Sequence, residues 1–192
     1  MFRKLKRRRE KKTDYYQRLG LLKSGLPRLV VRKSNRYVLA QLVKYEPEGD
    51  KVVFTVLSKK LRNFGWRYGC ANLPAAYLTG LLAGFEAKRR GIDKAILDIG
   101  LHVSTKGNKI YALAKGCIDA GLEIPLGEEV VPSEERMRGE HIASYAARLK
   151  EENEKEYTKR FSAYLSSNAP PERIPENFEE VKNKIIECYK NG

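Results

Sequence analysis

The amino-acid sequence predicts an α/β protein: a mixed sheet in β-β-β-α-β-α-β order, followed by a helical C-terminal extension. Three observations carry that expectation. Between residues 27 and 44, two β-branched apolar runs flank a Ser34-Asn35 centre, and a third run, 52–57, follows the turn Pro47-Glu48-Gly49-Asp50. Two helical stripes then alternate with two short apolar runs, which is the pattern of crossover connections. Beyond residue 127 the stripes persist, but each holds few apolar residues and acids outnumber bases.

The hairpin is the clearest element. Asn tolerates the positive φ of a tight turn, so Ser34-Asn35 reads as a two-residue connection. That register sets Val31 opposite Val38 and Leu29 opposite Ala40, and with Leu42 they form one apolar, core-facing side. The other face carries Arg28, Val30, Arg32, Tyr37, Leu39 and Gln41, with Lys33 and Arg36 flanking the tip.

Asn72 with Pro74 in the first turn opens a helix that Gly91 ends, and Leu78, Leu81, Leu82 and Phe85 are its core stripe. Residues 95–99 read as a short buried strand. Ile110, Leu113, Ala114, Cys117 and Ile118 are spaced as one face of a second helix, so Cys117 reads as a small buried hydrophobe. Gly121 caps that helix, and 122–126 return as a last strand. The extension offers a helix around Ile142, Tyr145, Ala146 and Leu149, a charged linker, a Tyr157-Phe161-Tyr164-Leu165 cluster, and a final stripe of Phe178, Val181, Ile185 and Tyr189. The division is thus a basic arm and short helix over 1–24, an α/β core over 25–126, and the extension over 127–192, which drapes over something. This is the element order of ribonuclease-H-like domains.

The 192 residues carry a net charge of +14, unevenly placed. Residues 1–36 hold 14 Lys and Arg against 2 acids, and residues 127–192 hold 11 against 14. A positive field gathered on the first fifth of a chain attracts a polyanion, nucleic acid before an anionic membrane. Arg3, Lys4, Lys6, Arg7, Arg8, Arg9, Lys11 and Lys12 form a run that repels itself and orders only against a charged partner. Tyr15 and Tyr16 follow in a short helix. Lys59, Lys60, Arg62, Trp66 and Arg67 lie in a loop where cations alternate with aromatics. Such a mixture stacks on unpaired RNA bases while charge holds phosphate; equally, Phe64 and Trp66 pin a long loop to the core.

Catalysis finds no support. A two-metal nuclease needs clustered carboxylates, and the first strand has none. Asp98 stands alone at its spacing and reads as structural. His102 and His141 are too isolated for a metal pair, and Gly107-Asn108-Lys109 is not a phosphate loop. Three scattered cysteines give neither a disulfide framework nor a zinc spacing and suit a reducing cytoplasm. The expectation is a soluble intracellular protein without cofactor, metal or small-molecule substrate.

The stretch Arg28-Leu29-Val30-Val31-Arg32-Lys33-Ser34-Asn35-Arg36-Tyr37-Val38-Leu39-Ala40-Gln41 resembles the hairpin of the L-eighteen family of large-subunit ribosomal proteins. The family pattern there is R-L-x-V-x-x-S-N-x-x-x-x-A-Q, and the similarity continues through residue 126. Tyr68-Gly69, Ala75-Ala76-Tyr77, Thr79-Gly80-Leu81-Leu82 and the C-terminal extension resemble the archaeal and eukaryotic branch, whose eukaryotic member is called L-five. The resemblance implies a structural constituent of the large subunit that binds 5S rRNA and attaches it to large-subunit rRNA in the central protuberance, beside neighbouring ribosomal proteins. It also implies that the basic N-terminus and Arg28, Arg32, Lys33, Ser34, Asn35 and Arg36 face RNA. The alternative is an RNA-processing nuclease on the same scaffold.

Overall fold

The computed structural model describes residues 5–190. A single helical turn, α1 (Lys6–Arg9), and α2 (Tyr15–Leu22) lead into the sheet. Asp14 caps α2, its carboxylate accepting the N–H groups of Tyr16 at 2.9 Å and Gln17 at 3.2 Å. Four strands follow the order β3-β2-β1-β4, with β1 (Arg28–Lys33), β2 (Val38–Lys44), β3 (Lys51–Leu57) and β4 (Ile96–Asp98). The first three form the antiparallel meander, and β4 pairs parallel with β1. The α/β class and mixed sheet are those the sequence predicts.

The hairpin register differs from the expected one by two residues. Leu29 stands opposite Leu42, Val31 opposite Ala40 and Lys33 opposite Val38, so the connection is the four-residue loop Ser34-Asn35-Arg36-Tyr37. Ser34 explains the longer loop. Its hydroxyl accepts the N–H groups of Tyr37 at 3.0 Å and Arg36 at 3.4 Å, and its own N–H donates to the Tyr37 carbonyl at 2.8 Å. Asn35 has no positive φ, because this loop does not require one. A slip of two residues preserves side-chain alternation, so Leu29, Val31, Val38, Ala40 and Leu42 still share the buried face.

That face is covered by α3 (Leu73–Arg89) and α4 (Lys109–Asp119), which pack most extensively on each other. Asn72 caps α3 by accepting the Ala75 N–H at 2.9 Å. The two helices meet backbone to backbone: a Cβ on Gly80 would lie 1.9 Å from the Leu113 carbonyl oxygen, and one on Gly116 would lie 2.2 Å from that of Tyr77. Cys117 is fully buried and donates to the Gly80 carbonyl at 3.1 Å, and burial pushes its thiol pKa up. The expected fifth strand is reduced to one parallel bridge, Lys94 to Glu123. Pro125 lacks the N–H that would extend the ladder.

The extension contains α5 (Glu134–Arg138), α6 (Glu140–Glu152), α7 (Glu154–Arg160), α8 (Ser162–Ser166) and α9 (Ile174–Lys190). What it drapes over is this chain's own α3. Phe178, Val181 and Ile185 of α9 are buried in the main core, with the Phe178 ring 5.6 Å from that of Tyr77. The sheet, α4 and α9 together leave α3 buried on nearly every side. That is why its small residues Ala75, Ala76, Ala83 and Ala87 are buried alongside the expected leucines. Phe85, the last of the expected stripe, is half-buried and stacks on Tyr189.

Candidate nucleic-acid interface

The face of the sheet opposite α3 and α4 begins with a network of opposite charges. Arg28 is 4% exposed and donates to Asp98 at 2.7 Å and to Asp50 at 2.6 Å. Arg18 of α2 reaches the other Asp50 oxygen at 2.9 Å, and Arg32 reaches Asp98 at 3.0 Å through one nitrogen and the Asp98 carbonyl at 2.8 Å through another. Three arginines thus share two aspartates across α2, β1, the β2–β3 turn and β4. Gly100 also donates its N–H to Asp98, at 2.9 Å. The backbone turns there with φ +60°, and a Cβ would approach the Arg32 guanidinium carbon to 2.7 Å, so the position requires glycine. Arg28 is therefore not an RNA-facing side chain, contrary to expectation: burial without a partner carboxylate would be too costly, and the fold supplies two. Arg32 is half-exposed and already engaged. Asp98, structural as expected, is saturated by two guanidinium groups and a backbone donor.

The tip is built differently. Asn35 and Arg36 are exposed and Lys33 is half-buried. Among the described residues, neither Lys33 nor Arg36 has a carboxylate within 4.0 Å. Ser34 is exposed, but its hydroxyl is occupied holding the loop, so it shapes the tip. The loop after β3 begins as a 3-10 turn, Ser58–Phe64, docked onto the hairpin where Ser58 Oγ accepts the Val38 N–H at 3.0 Å. Lys59, Lys60, Arg62 and Arg67 are exposed on this segment, also without a carboxylate within 4.0 Å among the described residues. Asn35 and Arg36 line a groove of about 460 Å³ with Arg62, Asn72 and Tyr164, so cations distant in sequence share one surface.

Trp66 is not on that surface. It is 2% exposed, its indole N–H donates to the Gly69 carbonyl at 3.2 Å, and its ring meets Tyr68 edge-on at 5.4 Å. The expected base-stacking role is corrected: both ring faces are covered, and Trp66 pins the loop. Gly65 with φ +94° allows the reversal that turns Trp66 inward while Arg62 and Arg67 point outward.

On the arm, Lys6, Arg7, Arg8, Arg9, Lys11 and Lys12 are all exposed. Among the described residues only Lys12 of this group finds an acid, Glu10 at 3.0 Å, while Arg7 donates to the Thr13 hydroxyl at 2.9 Å. Tyr15 is half-buried and Tyr16 is 89% exposed. Arg3 and Lys4 lie outside the described residues.

Two side chains that the sequence did not single out for RNA join the tip. His102 Nε2 accepts the Lys33 backbone N–H at 3.4 Å, and Lys109 donates to the Ala71 carbonyl at 2.7 Å. Burial, followed by the charges of Lys33 and Arg32, holds the His102 pKa below its ordinary 6.5. Burial, followed by the Lys33 charge, lowers that of Lys109. No local signal marks either residue, since His102 meets Lys33 across 69 positions of chain and Lys109 meets Ala71 across 38.

A family model described as "Ribosomal large subunit proteins 60S L5, and 50S L18" matches residues 2–90 and 85–127. A protein of the archaeon Caldivirga maquilingensis named "Large ribosomal subunit protein uL18" is 55% identical over 187 residues, covering 97% of this chain and 90% of the relative. The similarity therefore extends through the helical extension, in keeping with the archaeal and eukaryotic branch. The chain belongs to the family of ribosomal large subunit proteins 60S L5 and 50S L18, structural constituents of the ribosome and not enzymes.

Proposed function

We propose that the chain binds 5S rRNA and attaches it to the large-subunit rRNA in the central protuberance, beside neighbouring ribosomal proteins. One observation carries this reading: among the described residues, Lys33, Arg36 and Arg62 are cations without counter-charge on a frame fixed by a paired hairpin and a docked turn. Phosphate contacts from a fixed frame select one folded RNA by shape, whereas the arm adds attraction for any polyanion. Lys59, Lys60 and Arg67 extend the rigid surface, and the arm's cations and Tyr16 supply the adaptable part.

The test is equilibrium binding of the full chain to 5S rRNA, to a large-subunit rRNA fragment and to an unrelated structured RNA of equal length, each over a range of salt. Affinity for the unrelated RNA should collapse as salt rises while binding to the two rRNAs persists. Equal affinities and equal salt slopes for all three would overturn the reading.

A further inference from the structure

We propose that Lys33, His102 and Lys109 form a site for one backbone phosphate of the bound rRNA. It lies at the seam between the hairpin tip, the loop after β4 and the first turn of α4. The inference rests on the RNA-binding reading and deepens it by naming a contact assembled from three separate segments.

His102 is joined to the hairpin by a hydrogen bond from the Lys33 backbone, and the Lys33 charge is felt at both His102 and Lys109. Because His102 Nε2 accepts the Lys33 backbone N–H, the neutral ring carries its proton on Nδ1, which keeps a donor to offer. Lys109 gives one of its three N–H groups to the Ala71 carbonyl, which anchors the ammonium at the seam and leaves two. Lys33 supplies the second ammonium. The Asn108 side chain turns away from α4, donating to the Val103 carbonyl at 3.4 Å and the Thr105 hydroxyl at 3.3 Å, so it does not cap the helix. The first turn of α4, which Lys109 opens, is thus left without a side-chain cap.

Nothing among the described residues balances these charges. Neither Lys33 nor Lys109 has a carboxylate within 4.0 Å. The positive charges also act on one another: after burial, it is Lys33 that depresses the proton affinity of both His102 and Lys109. At the hairpin root the fold answers gathered arginines with Asp50 and Asp98. At this seam it gathers cations and supplies no acid among the described residues, which is unfavourable in the free protein and relieved by an anion with several acceptor oxygens. On a ribosomal protein, that anion is a phosphate of the RNA backbone.

The experiment measures affinity of the full chain for 5S rRNA against salt concentration, for wild type, Lys33→Gln, Lys109→Gln and the double variant. If both lysines hold one phosphate, the double variant flattens the log–log slope by about 0.7–0.9, the value of a single contact, and each single variant by less. Lys109→Arg keeps the charge and should keep the slope. Lys106→Gln, changing a nearby exposed lysine paired with Glu129, should leave the slope unchanged. Thermal melting of each variant checks the fold. An unchanged slope in the double variant, or a loss twice as large that adds from the singles, overturns the shared phosphate. A wild type that binds large-subunit rRNA but shows no preference for 5S rRNA overturns the 5S assignment alone, and the same slope comparison on large-subunit rRNA then decides the phosphate site. If neither rRNA is bound, both fall.

Discussion

The root and the tip of one hairpin carry the same residue types and use them in opposite ways. At the root, Arg28 and Arg32 meet Asp50 and Asp98, and the 4% exposure of Arg28 makes these pairs part of the fold. At the tip, Lys33 and Arg36 meet no carboxylate among the described residues, and Arg62 and Lys109 arrive from elsewhere in the chain without one either. The difference teaches that positive charge in a sequence is not by itself an interface. What decides is whether the fold returns an acid to the same place. Where it does, the cation holds strands and helices together; where it does not, the charge is available to a polyanion.

The largest expected effect separates root from tip by stability. Asp98→Ala leaves Arg28 and Arg32 without their shared carboxylate and should cost about 3–5 kcal/mol in urea denaturation, whereas Arg36→Gln should stay within about 0.5 kcal/mol. Comparable losses at both would erase the distinction. Next comes the arm. Deleting residues 1–12 removes Lys6, Arg7, Arg8, Arg9, Lys11 and Lys12, exposed cations outside the paired hairpin, so affinity for 5S rRNA and for an unrelated RNA should fall together. The salt slope should flatten by roughly 0.7–0.9 for each phosphate the arm had neutralised, and an unchanged slope would mean that the arm touches no phosphate. Trp66→Phe sharpens the comparison from within the loop. It should cost about 1 kcal/mol by removing the hydrogen bond to Gly69 and leave RNA affinity unchanged. A loss of RNA affinity at full stability would return Trp66 to the interface.

The smallest effect is a titration. Lys33→Gln should raise the His102 pKa toward 6.5, measured by NMR, and leave that of His141 in place, since burial and Arg136 depress the latter. Both imidazoles take up protons less readily folded than unfolded. Stability is therefore lost as pH falls through about 6.5, and Lys33→Gln should lessen that loss.

Local pattern made much of this legible. The hairpin, the helix cap at Asn72, and the stripes of α4 and α9 follow from residue spacing, and the buried hairpin face survives a wrong turn length because alternation has period two. What pattern does not carry is pairing at a distance. Arg28 reads as an RNA-facing arginine until Asp50 and Asp98 arrive from 22 and 70 positions away. Trp66 beside four cations reads equally as stacker or anchor, and only the turn at Gly65 decides. The glycines of α3 and α4 dictate a backbone-to-backbone crossing that no stripe of leucines announces. His102, isolated along the chain, gains its neighbours only when β4 pairs with β1.

The central claim is that the rigid tip recognises and the arm merely attracts. The most direct measurement compares the Lys33→Gln/Arg36→Gln double variant with the 1–12 deletion, each titrated with 5S rRNA and with an unrelated structured RNA of equal length, with circular dichroism confirming the fold. The tip variant should lose on the order of tenfold or more for 5S rRNA, about 1.5–3 kcal/mol for charged contacts, and distinctly less for the unrelated RNA, while the deletion should weaken both by similar factors. If the tip variant weakened both RNAs equally, the tip would be only more positive charge and the root–tip distinction would not describe recognition.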